Sequence, residues 1–187
     1  MPLIVRGPGV REGAVVNELA GNIDLAPTFA ELAGIDINPS VDGRSLAPLL
    51  TGDLPPGSAW RRAFLLEHTR QEEGHDRRGV SEPPESSEST RRQTPPDFQG
   101  LRTTDSLYVE YATGEKELYD LGSDPYELQN LASTADPSRL TRLSSWLSGL
   151  RPCAASNCRE QEEAGPQAAA AAASRGEPLA PSDPATR

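Results

Sequence analysis

The chain opens on an apolar run, Leu3-Ile4-Val5, closed by the turn Gly7-Pro8-Gly9. Successive side chains of a strand point to opposite faces, so a run of this kind is apolar on both and must be covered on both. In an α/β protein that cover comes from helices and parallel neighbours. Such partners are not found in these 187 residues, so the run is expected to be the edge of a larger sheet that lies mostly elsewhere.

Eighteen prolines and an aromatic content of 5% leave limited material for a core. A compact part to about Cys158 and an unstructured remainder are expected. The formal net charge of -10 opposes phosphate backbones, and no basic stripe interleaved with aromatics offsets it locally, so nucleic acid is not an expected partner. No apolar segment approaches the roughly 20 residues needed to cross a bilayer. The N-terminal run is too short and wrongly flanked for a signal peptide, so neither a membrane span nor an export signal is expected.

Asn22 or Asp24 is placed to cap a helix over 25–33, with Pro27 tolerated in its first turn and Gly34 as its stop. Leu25, Phe29 and Leu32 share one face and are expected in the core. Ser45 caps a shorter helix through Leu50, closed by Gly52, and Asp42 with Arg44 is expected to form a loop-fixing ion pair. Residues 53–57 form a Pro/Gly linker and 63–67 read as a strand. Over 69–94 periodicity disappears, which fits a long surface insertion or a disordered loop. Order returns at 98–103 and at 106–111, where Leu107, Val109 and Tyr111 alternate with Tyr108 and Glu110 as in a strand with one covered face. Thr113-Gly114 turns that strand into 117–121, giving an antiparallel hairpin. Asp136-Pro137 starts a last helix whose stripe is Leu140, Leu143, Leu147 and Leu150, with Trp146 at its edge. The alanine run at 168–173 is bracketed by Gly and Pro, so 159–187 is expected to be a disordered tail. The expected organisation is 1–52 as the incomplete edge of an α/β domain, 53–158 as an antiparallel subdomain with its insertion, and the tail.

Cys153 and Cys158 can be read as a metal or redox pair, or as a small staple on a C-terminal loop. A zinc site needs about four closely spaced ligands, and His68 and His75 are far away in sequence, which favours the staple. Oxidised, it points to an exported parent protein.

Several segments in fixed order resemble the C-terminal part of the sulfatase family: Pro2-Leu3-Ile4-Val5-Arg6-Gly7-Pro8-Gly9, Asn22-Ile23-Asp24-Leu25-Ala26-Pro27-Thr28, Asp42-Gly43-Arg44-Ser45-Leu46, Glu117-Leu118-Tyr119-Asp120-Leu121, Asp124-Pro125 and Asn130-Leu131. The Cys153/Cys158 pair and Tyr108-Val109-Glu110-Tyr111 look most like the N-acetylglucosamine-6-sulfatase branch. The resemblance implies an alkaline-phosphatase-like α/β fold with a small C-terminal antiparallel sheet packed by a helix. It also implies hydrolysis of sulfate esters, on sulfated sugars such as N-acetylglucosamine 6-sulfate or on aryl sulfates, in an extracellular, periplasmic or lysosomal setting. Intact members use a formylglycine made from a Cys/Ser-x-Pro-x-Arg motif together with a calcium ion.

Neither cysteine here is followed two residues later by proline, and Ser182-Asp183-Pro184-Ala185-Thr186 has Thr where Arg is required. No position matches a catalytic or calcium-binding residue, so none is carried over. What remains is rim material. Glu67 and His68 end a strand and are candidates to face a substrate pocket, against the plainer reading of a solvated Glu and a surface His. Arg102 is a candidate sulfate contact, against an ion pair at the sheet edge. Two functions follow: a sulfatase fragment inactive alone, whose partner is the missing N-terminal portion, or a non-catalytic module that docks on a partner through uncovered apolar surface.

Overall fold

The computed structural model of the protein describes residues 3–36, 40–54, 60–70 and 95–174. Its centre is a four-stranded antiparallel sheet in the order β1-β2-β3-β4, with β1 (Phe64–His68), β2 (Phe98–Arg102), β3 (Ser106–Tyr111) and β4 (Lys116–Asp120). The strands follow one another in sequence, as a meander. Gly114, at φ 91, makes the β3–β4 turn that the sequence placed at Thr113-Gly114.

Helix α3 (Pro137–Leu150) packs on one face of this sheet. Asp136 caps it by accepting the Ser138 N–H at 2.7 Å, and Pro137 sits in the first turn, where a missing N–H costs nothing. Its stripe of Leu143, Trp146, Leu147 and Leu150 meets Ala63, Leu101, Tyr108 and Leu118, and these residues form the core. The register puts Leu101, Tyr108 and Leu118 opposite one another across three strands. The helix therefore covers the Tyr108 face of β3, not the Leu107 face that the alternation suggested. Tyr108 is fully buried and its hydroxyl donates to Glu110 at 2.7 Å, so a residue read as the polar half of the alternation is a core aromatic whose hydroxyl is paired inside the protein. Leu107 and Val109 are buried as well, which leaves β3 covered on both faces.

The N-terminal half departs further from expectation. Residues 3–6 form no strand, and Ile4 is 89% exposed. The backbone of an isolated strand has no ladder to pair with, and none of the described strands offers one. Helix α1 (Leu25–Leu32) follows a 3-10 turn at Asn22–Asp24, and α2 (Ala47–Thr51) begins where the Ser45 hydroxyl accepts the Ala47 N–H and ends at Gly52, φ 81. The α1 face expected in the core is turned outward, with Phe29 64% and Leu32 60% exposed. The helix is held instead through Thr28, whose hydroxyl donates to the Asp24 carbonyl at 2.6 Å and accepts the Leu46 N–H at 2.9 Å.

The expected disordered tail is corrected at its start. Helix α4 (Ser156–Ser174) occupies most of it, bent at Gly165, which has φ 75. Cys153 and Cys158 are disulfide-bonded across the α3–α4 turn. The Trp146 indole donates to the Gln161 carbonyl at 2.8 Å and the Arg62 N–H to the Glu162 carbonyl at 3.1 Å, so α4 is tied to both α3 and the approach to β1. Gly165 holds left-handed backbone that strains any other residue, whereas the Arg62 guanidinium, 2.8 Å from where a Cβ would stand, is the end of a flexible side chain that can move aside. Residues 175–187, and 71–94 of the expected insertion with His75, lie outside the described residues. No helix among the described residues is long and apolar enough to cross a membrane.

Candidate functional site

The two ends of the β1–β2 pair hold the candidate residues. His68 pairs with Phe98 and Phe64 with Arg102, so His68 and Arg102 are separated by the length of the pair, about 13 Å for four residues of strand. Arg102 Nη1 donates to Glu127 at 2.8 Å in a half-exposed ion pair, the plainer of the two roles weighed for it. It takes no part in the cleft at the other end.

That cleft, of about 420 Å³, is lined by Glu67, His68, Asp97, Gln99, Glu110 and Arg151 among others. Three rings border it in a row across β1, β2 and β3. His68 stacks on Phe98 with centroids 5.2 Å apart, and Phe98 meets Tyr111 edge-on at 5.7 Å. The pairings Phe98↔Tyr111 and His68↔Phe98 put all three side chains on one face of the sheet at one end. On the other face, Glu67 accepts the Gln99 amide at 2.9 Å, and Glu110 accepts from Arg151 at 2.7 Å and from Lys116 at 3.2 Å. Burial alone would push the Glu110 carboxyl up, but hydrogen bonds from Ser144, Tyr108 and Lys116 bring it down to about 2, so it is charged at neutral pH. His68 Nε2 is buried without a hydrogen-bond partner. Phe98, Gln99, Tyr111, Glu110 and Arg151 were not named as site residues from the sequence, Glu110 and Tyr111 having been read there only as strand positions and as part of the branch resemblance. Pairing Phe98 with His68 across the aperiodic stretch would have found the first three, but periodicity carries no register across such a gap.

A second polar constellation lies under α1. Arg61, fully buried, donates to both oxygens of Asp24 at 2.6 and 2.9 Å and to Glu162 at 2.9 Å. Arg44 joins it through Glu162 at 2.8 Å and Glu163 at 2.7 Å. The expected Asp42–Arg44 pair is therefore not the one formed: Asp42 accepts the Ala155 N–H, and both residues are used to anchor α4. Burial would raise the Asp24 carboxyl, yet Arg61 and the N–H groups of Arg44 and Gly21 hold it below its usual value. Glu162 is pushed up by burial, which Arg61 and Arg44 only partly offset. Both oxygens of the Asp24 carboxylate are engaged inside the protein, which marks the Asp24–Arg61 pair as a structural clamp, while Arg44 Nε beside it is buried without a hydrogen-bond partner.

The remaining shared segments also have structural duties. A Cβ at Gly43 would run into the Ile23 carbonyl, so Asp42-Gly43-Arg44 needs its glycine for close approach. Asp124 accepts the N–H groups of Leu128 and Gln129 at 2.8 Å each, and the Asn130 side chain bonds Leu118 N–H and the Lys116 carbonyl along the free edge of β4.

Among the described residues no group of three or more His, Cys, Asp or Glu is placed to hold a metal ion, and both cysteines are committed to the disulfide.

A family model described as N-sulphoglucosamine sulphohydrolase, C-terminal, matches residues 1–81. The chain is 35% identical over 177 residues to N-acetylglucosamine-6-sulfatase of Homo sapiens, an alignment that covers 85% of this chain and 31% of that protein. It is 28% identical to N-acetylglucosamine-6-O-sulfatase of Bacteroides thetaiotaomicron, over 73% of this chain and 22% of that one. The crystal structure of a putative sulfatase from Bacteroides thetaiotaomicron superposes with a TM-score of 0.60 at 24% identity, over 82% of this chain and 29% of that one. A 2-O GAG sulfatase does so with a TM-score of 0.53 at 26% identity, over 72% and 26%. These likenesses give the fold as that of sulfatases, and the chain spans about a third of the length of the N-acetylglucosamine-6-sulfatases it matches.

Proposed function

The chain belongs to the sulfatase family, as its C-terminal part, and from that premise we propose that it completes an enzyme hydrolysing sulfate esters of sugars, of the N-acetylglucosamine 6-sulfate type. The observation that carries the reading is the 35% identity to N-acetylglucosamine-6-sulfatase across 85% of the chain. In this reading nucleophile and metal belong to the N-terminal portion of the enzyme. This chain supplies the sheet-end cleft with Glu67 and His68 as part of the substrate rim.

The exposed apolar residues Leu3, Ile4, Phe29, Leu32 and Ile35 support the same arrangement, because large apolar side chains left in water are what a packed neighbouring domain would cover. The neighbour in this proposal is the N-terminal α/β portion of a sulfatase. Alone, the chain would then release no sulfate from aryl sulfates or from N-acetylglucosamine 6-sulfate, since positioning without nucleophile or metal cannot supply the chemistry.

The test is a fusion in which this chain replaces the matching C-terminal part of human N-acetylglucosamine-6-sulfatase. Sulfate release by the fusion, and none by the chain alone, is the expected result. A folded fusion that binds calcium but leaves the ester intact would favour a docking module without catalytic duty.

A further inference from the structure

We infer that the cleft at the His68 end of the sheet takes an unsulfated saccharide ring and excludes the sulfate group. This rests on reading the cleft as substrate rim and adds which part of a substrate it holds.

Charge points first away from an anion. The lining carries Glu67, Asp97 and Glu110 against the single guanidinium of Arg151, and that guanidinium already donates to Glu110 at 2.7 Å. Arg70 lies close by without lining the cleft; its backbone N–H holds Asp97 at 2.7 Å and its guanidinium reaches the Pro95 carbonyl at 3.1 Å. Among the described residues, a sulfate entering here would meet carboxylates at short range, and the guanidinium on the lining is already paired with Glu110. Hydroxyl groups meet the opposite situation, because ionised carboxylates are acceptors only and the Gln99 amide can both give and take.

Shape and apolarity point the same way. The row His68, Phe98 and Tyr111 gives one wall an aromatic surface, and a pyranose ring offers a patch of C–H groups on one side and hydroxyls around its edge. Sites for small polar ligands combine such an apolar wall with a few placed polar groups, and 420 Å³ accommodates one or two sugar rings. His68 Nε2 adds an unmet hydrogen bond at the wall, where buried polar atoms are nearly always paired.

The experiment is an amide-shift titration of the full chain by NMR with N-acetylglucosamine, and separately with sodium sulfate. The sugar is expected to move the amides of Glu67, His68, Phe98 and Tyr111 saturably, and sulfate to leave them unmoved. Phe98→Ala should weaken the sugar by about tenfold. Because that change touches a half-buried ring, Glu67→Gln on the exposed rim serves as the second variant, and it too should weaken binding. Sulfate moving those amides, the sugar moving none of them, or both variants binding as the parent does would each overturn the inference. A fusion that releases sulfate while its sugar-binding amides stay unmoved would sink this inference and spare the function proposed above. An inactive fusion with an intact sugar site would do the reverse.

Discussion

Asp24 and Arg61 meet end to end with no solvent contact, the guanidinium spanning both carboxylate oxygens at 2.6 and 2.9 Å. Asp24 comes from the turn before α1 and Arg61 from the approach to β1, so one pair joins the N-terminal half to the sheet. Removing one partner of a buried pair strands the other charge, at a cost of about 3–5 kcal/mol. Asp24→Ala should lower the unfolding free energy measured by chemical denaturation by that amount, whereas a loss under about 1 kcal/mol would place the site in water.

Glu162 is the link from this pair to α4. Glu162→Ala should release the helix while leaving β2 to β4 intact, seen as faster amide exchange over 156–165 with unchanged protection over 106–120. Equal protection of α4 in the variant would mean that Trp146 and the disulfide hold it unaided.

The disulfide closes a loop of only a few residues, so the unfolded-state entropy it removes is worth roughly 2 kcal/mol. Cys153→Ser with Cys158→Ser should lower thermal stability by that order and loosen the α3–α4 turn first. A variant melting with the parent would show that the turn is set by packing alone.

For pH, Glu110 is the residue to follow. Its carboxyl lies at about 2 in the folded chain against an ordinary 4.5. A carboxyl lowered by folding contributes stability that is fully present above the ordinary value and is lost as pH falls toward the folded one. Stability should therefore decline from pH 4.5 downward to about 2, and Glu110→Gln should flatten that slope. An unchanged slope in the variant would assign the acid limb to other carboxylates such as Asp24.

Gly43→Ala tests the close approach in the Asp42-Gly43-Arg44 turn. The added methyl meets the Ile23 carbonyl, which belongs to backbone and cannot rotate away, so a loss of about 1–3 kcal/mol is expected by chemical denaturation. A neutral result would show that the turn shifts freely.

The parts of this fold that the sequence made legible are those held by apolar periodicity. Leu143, Leu147 and Leu150 announce α3, and Gly114 announces the β3–β4 turn. Helix α4 was hidden because the segment was judged by its alanine run bracketed by Gly and Pro, while Glu162 is buried by two arginines that lie about a hundred residues upstream. No local pattern records a partner at that distance. The α1 face failed for the opposite reason: its periodicity is genuine, but among the described residues nothing covers it. In the cleft, Glu67 and His68 were found because they end a strand. Their aromatic neighbours depend on a pairing register that only the folded sheet supplies.

The pairing of His68 with Phe98 has a consequence for how such chains diverge. The backbone leaves the sheet after one and returns at the other, already in register, so the connection begins and ends at a fixed seam. Lengthening a connection whose ends are fixed adds only about 0.6 kcal/mol for each doubling. The seam is thus a place where whole segments can be gained or lost at small entropic cost without disturbing the paired strands that floor the cleft.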